Sequence, residues 1–146
     1  MRSISKVFLD ANVLFDLCIT DRPFHGDSVK AVEFLLVNGA KLYTSSDFIT
    51  TIYYVLSKIL KDKGKVLDLI EDMVSYTTLV GFSNEEVGEA MELLERDKNF
   101  RDLEDTLVYV LAKKTGCDLI LSNDGDFYSP DVRVMSSGEF CETFCE

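Results

Sequence analysis

The segment Lys6-Val7-Phe8-Leu9-Asp10-Ala11-Asn12 decides the fold. Its apolar residues predict a short buried strand, Lys6–Leu9, and a helical stretch around Val13–Leu17 follows almost at once. Asp10 stands between them, at the carboxyl end of the strand. A strand that leads directly into a helix is typical of α/β proteins.

The same alternation continues along the chain. Further strands are predicted at Lys41–Thr44, Thr77–Val80, Asp118–Leu121 and Val132–Val134, and helical periodicity fills the intervals. We expect a loop over Arg22–Gly26, a helix from Asp27, a helix capped by Ser45 or Ser46, and a last helix over Ser136–Phe144. This order predicts a three-layer α/β/α sandwich with a mostly parallel central sheet of about five strands.

Length and composition limit the class of protein. The chain has 146 residues, which suit a single domain over residues 1–146. It is 47% apolar with only 8 Gly and 2 Pro, which excludes disordered and collagen-like chains. The net charge of −11 argues against nucleic-acid binding by bulk attraction. It does not argue against an enzyme whose acidic residues collect metal ions.

Neither a membrane span nor a secretory leader is expected. No apolar run approaches the ~18 residues of a transmembrane helix, and the apolar run before Asp10 is too short for a signal peptide. We therefore expect a cytoplasmic protein. His25 is the one histidine and lies far from any cysteine pair, so a zinc site is not expected. Reduced thiols are expected at Cys18, Cys117, Cys141 and Cys145.

Acidic residues follow the strands in a particular pattern. In open α/β sheets, ligands bind beyond the carboxyl ends of the strands. Asp10 follows the first strand directly, and Asp124 lies three residues after the fourth. Asp102, Glu104 and Asp105 crowd the first turn of a helix whose N-terminus faces the same edge. We expect these carboxylates to converge in one crevice.

Converging carboxylates favour a particular chemistry. They repel one another, and a divalent cation among them offsets that repulsion. Oxygen donors without His or Cys select hard cations such as Mg²⁺ or Mn²⁺. A cation held in this way activates water and stabilises a phosphorane-like transition state. The pattern therefore favours metal-dependent hydrolysis of phosphodiesters.

The same residues also have purely structural interpretations. Asp102 can be only a helix N-cap, with Asp105 in an arrangement that resembles a capping box. Asp10 can be only a cap, and Asp124-Gly125-Asp126 only a turn. Asn12 either orients a carboxylate or caps the helix. These alternatives stay open on the sequence alone.

Other charged residues are expected at the surface. Ser83 and Glu86 have the spacing of a capping box. A solvated helix face is predicted for Glu85, Glu86, Glu89 and Glu92. Solvated positions, or contacts with RNA phosphates, are predicted for Lys58, Lys61, Lys63 and Lys65.

Four segments, in order, resemble those of PIN-domain ribonucleases. Val7–Leu14 is similar to the family's opening strand with its first acid, Leu103–Leu107 to its later acidic helix start, and Leu119–Phe127 to its last acidic loop. Thr50–Leu56 resembles the middle helix of a subfamily common among toxins of bacterial toxin–antitoxin pairs. The matches extend over residues 6–135.

The resemblance implies an Mg²⁺- or Mn²⁺-dependent endoribonuclease that is the toxin of such a pair. RNA would be the substrate, and a small antitoxin and a second copy of the chain would be its protein partners. It implies that Asp10, Asp105 and Asp124 are the catalytic, metal-binding acids. Asp126 would be a further ligand or would hold the loop.

One departure from the family pattern affects this expectation. Members usually carry an acid in the middle helix, where this chain has Thr51. Asp47 lies four residues earlier, on the same helix face, and is expected as a substitute. Asn12 and Ser122 would position the acids or the substrate. The alternative is a catalytically degenerate PIN-like module that binds a partner protein or RNA without cutting it.

A phosphatase with Asp10 as covalent nucleophile is disfavoured. That role suits a carboxylate after a first strand. The residue two positions on, which would donate the proton, is Asn12 and not an acid.

Overall fold

The central sheet is five-stranded and entirely parallel. The computed structural model describes residues 4–145. Its strands are β1 (Lys6–Leu9), β2 (Lys41–Ser45), β3 (Thr77–Val80), β4 (Leu119–Leu121) and β5 (Arg133–Met135). Its helices are α1 (Ala11–Cys18), α2 (His25–Val37), α3 (Phe48–Leu60), α4 (Lys63–Tyr76), α5 (Asn84–Arg96), α6 (Leu103–Lys114) and α7 (Ser137–Phe144). The predicted alternation of strands and helices is confirmed.

The strand order β3-β2-β1-β4-β5 places the first and fourth strands side by side. Val7 lies opposite both Leu42 of β2 and Leu119 of β4. The Asp10 N–H continues the ladder by donating to the Leu121 carbonyl over 3.0 Å. Because all strands run in one direction, the residues that follow β1 and β4 emerge at the same edge of the sheet.

The core lies on both faces of this sheet. Every residue of β4 and three of the four residues of β1 are fully buried, as expected for parallel strands covered by helices. α2 packs against α1 and α7, α3 against α4, and α5 against α6. Within residues 4–145, no helix combines the length and the apolar character that crossing a bilayer requires.

The start of α2 differs from the prediction. The expected loop over Arg22–Gly26 is shorter, and the helix begins at His25 and not at Asp27. The reason is a set of contacts with Asp16 of α1. Arg22 Nε donates to the Asp16 carboxylate, and His25 Nδ1 lies 2.7 Å from the Asp16 carbonyl oxygen. These tertiary contacts order the residues before Asp27 into a turn and the start of the helix.

The predicted serine cap of α3 is also wrong. β2 continues through Ser45, so the helix starts later, and Asp47 occupies the N-cap position. Ser45 is buried, and its hydroxyl donates to the Asp47 carboxylate. The strand therefore positions Asp47 through a side-chain hydrogen bond.

Glu86 is not on a solvated face, contrary to the prediction. Its capping box with Ser83 is confirmed, since the Ser83 N–H donates to Glu86 Oε1 over 2.7 Å. The carboxylate is buried and pairs with Lys114 of α6. Lys114 and the Ser83 N–H lower the pKa of Glu86 to about 2. Glu85, Glu89 and Glu92 are exposed as predicted.

Candidate functional site

Asp10 lies buried at the carboxyl end of β1, where it is also the N-cap of α1. Its Oδ1 accepts from the Ala11 N–H over 2.8 Å, so the cap interpretation is correct for one oxygen. Its Oδ2 accepts from Ser122 Oγ over 2.8 Å and from Asn12 Nδ2 over 3.1 Å. Burial raises the pKa of Asp10 despite these hydrogen bonds, and the charge of Asp124 raises it further.

Asn12 orients the carboxylate and does not cap the helix. It lies inside α1, and besides its bond to Asp10 its Oδ1 accepts from the Asn123 N–H over 2.8 Å. Ser122 also contacts the loop after β4, since its Oγ accepts from the Asp124 N–H over 3.2 Å. The two side chains therefore join the end of β1 to the end of β4.

Asp105 is half-buried in the first turn of α6. Its N–H donates to Asp102 Oδ1 over 2.8 Å, which confirms Asp102 as the N-cap. Within residues 4–145, the Asp105 carboxylate itself accepts no hydrogen bond. Burial, followed by the charges of Asp10, Asp102 and Asp124, raises its pKa to about 7. This carboxylate thus lies among other negative charges without a compensating donor.

Glu104 extends this group of charges. Its pKa is raised by burial and by the charges of Asp10, Asp102 and Asp47. We call the group the acidic edge; it consists of Asp10, Asp47, Asp102, Glu104, Asp105 and Asp124. The charges of the carboxylates that the sequence predicted to converge therefore act on Glu104 and Asp105 in the fold. Glu104 was among these converging acids but was given no catalytic or metal-binding role.

The loop after β4 holds the two remaining predicted acids. The Asp126 N–H donates to Asp124 Oδ1 over 2.9 Å, so the segment forms a turn. Both carboxylates are exposed. That of Asp126 pairs with Arg101 at 2.9 Å, which directs it toward the segment before α6.

Thr51 is exposed on α3 and adds no charge to the acidic edge. Its hydroxyl lies 3.5 Å from the Asp47 carbonyl oxygen, one helical turn away. Asp47 itself is exposed before the helix begins, and its charge acts on Glu104.

The acidic edge offers only oxygen donors, the chemistry that suits a hard divalent cation. No three His, Cys, Asp or Glu side chains within residues 4–145 already form a group able to hold a metal ion. Burial first, and then the charges of neighbouring carboxylates, raise the pKa values of Asp105 and Glu104. The donors therefore fit such a cation by their chemistry, but they do not form a preassembled cage.

Asp16 is a buried acid for which the sequence predicted no role. It accepts from Arg22 Nε and from Asn123 Nδ2, each over 2.5 Å. Because the Asn123 N–H holds Asn12, a chain of hydrogen bonds connects Asp16 to Asp10. The sequence feature that could have revealed it is the presence of a charged residue within the apolar stretch Val13–Leu17.

An open cavity of about 390 Å³ adjoins the acidic edge. Asp47 and Glu104 belong to the acidic edge and also line the cavity. The rest of its wall is mainly apolar and includes Phe48, Phe82, Val87, Leu103 and Leu107. A mainly apolar wall with a few polar groups is typical of ligand sites.

Comparisons with known proteins agree on one family. The family model described as PIN domain matches residues 6–126. The chain is 56% identical over 137 residues to Ribonuclease VapC1 of Aquifex aeolicus (strain VF5), covering 94% of each protein.

Solved structures share the fold. VapBC2 of Rickettsia felis, bound to a promoter DNA fragment, matches with a TM-score of 0.70 at 18% identity, covering 90% of this chain and 98% of that one. VapC20 of Mycobacterium tuberculosis, a sarcin–ricin loop cleaving toxin, matches with a TM-score of 0.66 at 16% identity, covering 83% and 92%. The matched segment 6–126 covers most of the chain and contains every residue of the acidic edge, so this chain belongs to the PIN-domain family.

Proposed function

We propose that this protein is a metal-dependent endoribonuclease and the toxin of a toxin–antitoxin pair. The observation that carries the proposal is the convergence of Asp10, Asp105 and Asp124, which come from the end of β1, from α6 and from the loop after β4. Ser122 Oγ joins Asp10 to the Asp124 N–H, and the charges of Asp10 and Asp124 raise the pKa of Asp105. The relative with 56% identity is named a ribonuclease, which supports the reaction class.

In this proposal, Asp10, Asp105 and Asp124 hold Mg²⁺ or Mn²⁺. When bound, such a cation lowers the pKa of an attacking water and stabilises charge that develops on the phosphate. Asp10 is fixed by its hydrogen bonds, whereas Asp105 accepts none within residues 4–145 and Asp124 is exposed. Asp105 and Asp124 are therefore the ligands whose side chains rearrange on binding.

Neighbouring residues hold these acids in place. Ser122 donates to Asp10 and accepts from the Asp124 N–H, so one hydroxyl sets the positions of two proposed ligands. Asn12 fixes the same Asp10 oxygen. Asp126 keeps its role as a loop-holding residue, supported by its pairing with Arg101. Asp47 supplies the negative charge that Thr51 lacks. This role is supported by the charge of Asp47, which raises the pKa of Glu104.

The protein partners follow from the same proposal. Solved structures with this fold include VapBC complexes of Rickettsia felis and Salmonella typhimurium. We therefore propose a small antitoxin that covers the acidic edge and a second copy of the chain as dimer partner. The protein would act in the cytoplasm, as one PIN-like domain over residues 1–146.

The direct test compares RNA cleavage by the wild type, Asp10→Asn and Glu95→Gln with Mn²⁺ or Mg²⁺. Asp10→Asn removes the buried charge, so we expect a loss of roughly 100-fold or more, equivalent to about 2.7 kcal/mol. Glu95 is exposed on α5, and its variant should cut like the wild type. Circular dichroism should show that each variant is folded. Unchanged cleavage by Asp10→Asn would remove the mechanism.

A binding module without catalysis is the second candidate, favoured by the uncharged Thr51. Titration calorimetry with Mn²⁺ separates the two functions. The enzyme should release or absorb heat on binding the ion, and Asp10→Asn should bind it more weakly. No binding at millimolar Mn²⁺ would favour the module.

A further inference from the structure

The cavity beside the acidic edge has aromatic and aliphatic walls from several elements. Phe48 begins α3, Phe82 precedes α5, and Leu103 begins α6. Phe82 is half-buried, and Leu103 is 42% exposed. An apolar surface that stays open to solvent marks a place where another molecule binds.

Two carboxylates in the wall have unused acceptor capacity. Within residues 4–145, Glu104 accepts no hydrogen bond, and Asp47 accepts only at Oδ1, from Ser45. Among the described residues, those that line the cavity include no Lys, Arg or His. A molecule that has apolar faces and hydrogen-bond donors at its edge is therefore complementary to the cavity.

The cavity lies beside the proposed cleavage site, since the charge of Asp10 acts on Glu104 in its wall. Glu104 lies in its wall and precedes Asp105 directly in the first turn of α6. In the proposed complex, the phosphodiester lies against Asp10 and Asp105, and an adjacent nucleotide is the part of the RNA that reaches this opening. Single-stranded RNA is recognised by unstacked bases that pack on aromatic side chains and hydrogen-bond through their Watson–Crick edges.

We infer that this cavity is a nucleobase pocket, which takes the unstacked base beside the cleaved phosphodiester and favours guanine. The inference rests on the proposed ribonuclease function. Guanine presents N1–H and the exocyclic amino group side by side, and these two donors match the two oxygens of one carboxylate. Adenine and cytosine place a ring nitrogen acceptor beside their amino group, which a carboxylate repels. Uracil has a single N–H between two carbonyl groups.

The first experiment does not depend on cleavage. Each of the four nucleoside monophosphates is added to the Mn²⁺-free protein, and NMR follows the methyl groups of Val87 and Leu103. We expect guanosine monophosphate to shift both, with an affinity at least about 10-fold higher than that of uridine monophosphate. Glu104→Gln should reduce this preference. Absent shifts, equal affinities for all four nucleotides, or shifts caused only by an arginine-containing peptide would overturn the inference.

The second experiment uses RNA cleavage and a blocked pocket. An RNA that carries either guanine or an abasic ribose beside the cut is given to the wild type, to Val87→Trp, which fills the pocket, and to Met91→Trp. Met91 is 49% exposed on the same helix and does not line the cavity. The wild type and Met91→Trp should cut the abasic RNA at least about 10-fold more slowly, whereas Val87→Trp should cut both equally slowly.

The outcomes separate the two proposals. If no RNA is cut under any metal condition, the ribonuclease function fails, and the nucleotide titration still decides whether the pocket exists. If RNA is cut but the wild type does not distinguish guanine from an abasic site, the ribonuclease function stands and the pocket is wrong.

Discussion

Asp10 depends on a chain of polar residues in which Asp16 and Ser28 are buried and Asn12 and Asn123 are half-buried. Asn12 bonds to Asp10, the Asn123 N–H bonds to Asn12, and Asn123 Nδ2 bonds to Asp16. Ser28 is the last member of this chain of hydrogen bonds, since its Oγ accepts from Asn123 Nδ2 over 3.1 Å. A buried polar network whose members are all satisfied rigidifies its surroundings, whereas one missing partner leaves donors unpaired.

Asp16→Ala should therefore weaken both the fold and the site. It removes the acceptor of Arg22 Nε and one of the two acceptors of Asn123 Nδ2, which keeps only Ser28. We expect the free energy of unfolding to fall by about 1–3 kcal/mol. RNA cleavage should fall as well, because Asn123 no longer holds Asn12 in place. Urea denaturation and a cleavage assay measure the two effects. Asp21→Ala, at an exposed position nearby, is the control, and equal stability of the two variants would contradict the prediction.

The location of a single residue in the fold could be predicted where it directly follows a strand or begins a helix. Asp10 and Asp124 follow strands, and Asp105 lies in the first turn of a helix, so their convergence follows from the topology of parallel sheets. Asp16 and Glu86 were missed because their partners come from other elements. Lys114, for example, lies 28 residues from Glu86.

At the level of elements, the ion pair between Glu86 and Lys114 ties α5 to α6. Because α6 carries Asp105 and Glu104 in its first turn, this link is part of what places the acidic edge. α6 is itself deeply buried from Thr106 to Ala112, so it is a rigid support for those acids.

Glu86→Gln should lower the melting temperature at neutral pH. The pKa of Glu86 is about 2 in the fold against an ordinary value of 4.5. Its stabilising effect is therefore complete above pH 4.5 and is lost as the pH falls toward about 2. The difference in melting temperature between Glu86→Gln and the wild type should shrink over this window. Scanning calorimetry at several pH values is the measurement, with Glu95→Gln as control. A difference that is independent of pH would refute the assignment.

The number and type of elements were predictable, but several of their ends were not. Apolar runs and helical periods located all five strands and the helices between them. The starts of α2 and α3 depend on Asp16 and on Ser45, whose contacts exist only after the elements have packed. Local sequence cannot report such tertiary contacts.

For the whole molecule, the net charge of −11 is partly concentrated at one edge of the sheet. A cation at this edge would reduce the repulsion among Asp10, Asp105 and Asp124. Binding to the folded state alone also stabilises it by mass action.

Mn²⁺ should therefore raise the melting temperature of the wild type. At a concentration 100 times the dissociation constant, the gain is about 2.7 kcal/mol. Asp10→Asn should lose most of this gain. Thermal denaturation with Mn²⁺, with NaCl at matched ionic strength and after addition of EDTA separates specific binding from general screening. An equal rise in both proteins would show that the ion does not bind through Asp10.

The overall architecture could be predicted, while the cavity could not. Alternating strands and helices imply a parallel sheet with helices on both faces, and the comparisons agree with this fold. The cavity forms where the start of α3, the segment before α5 and the first turn of α6 meet. Each of its apolar residues resembles an ordinary core residue in sequence, so its open position becomes visible only in three dimensions.

The adjacency of β1 and β4 also bears on how the protein is made. Ser122 and Asp10 touch although 112 positions separate them along the chain. During translation, the end of β1 has left the ribosome long before β4 exists, so the nascent chain carries no complete acidic edge. A nuclease built in this way cannot cut the messenger or the ribosomal RNA beside it until β4 and the loop that follows it have been made.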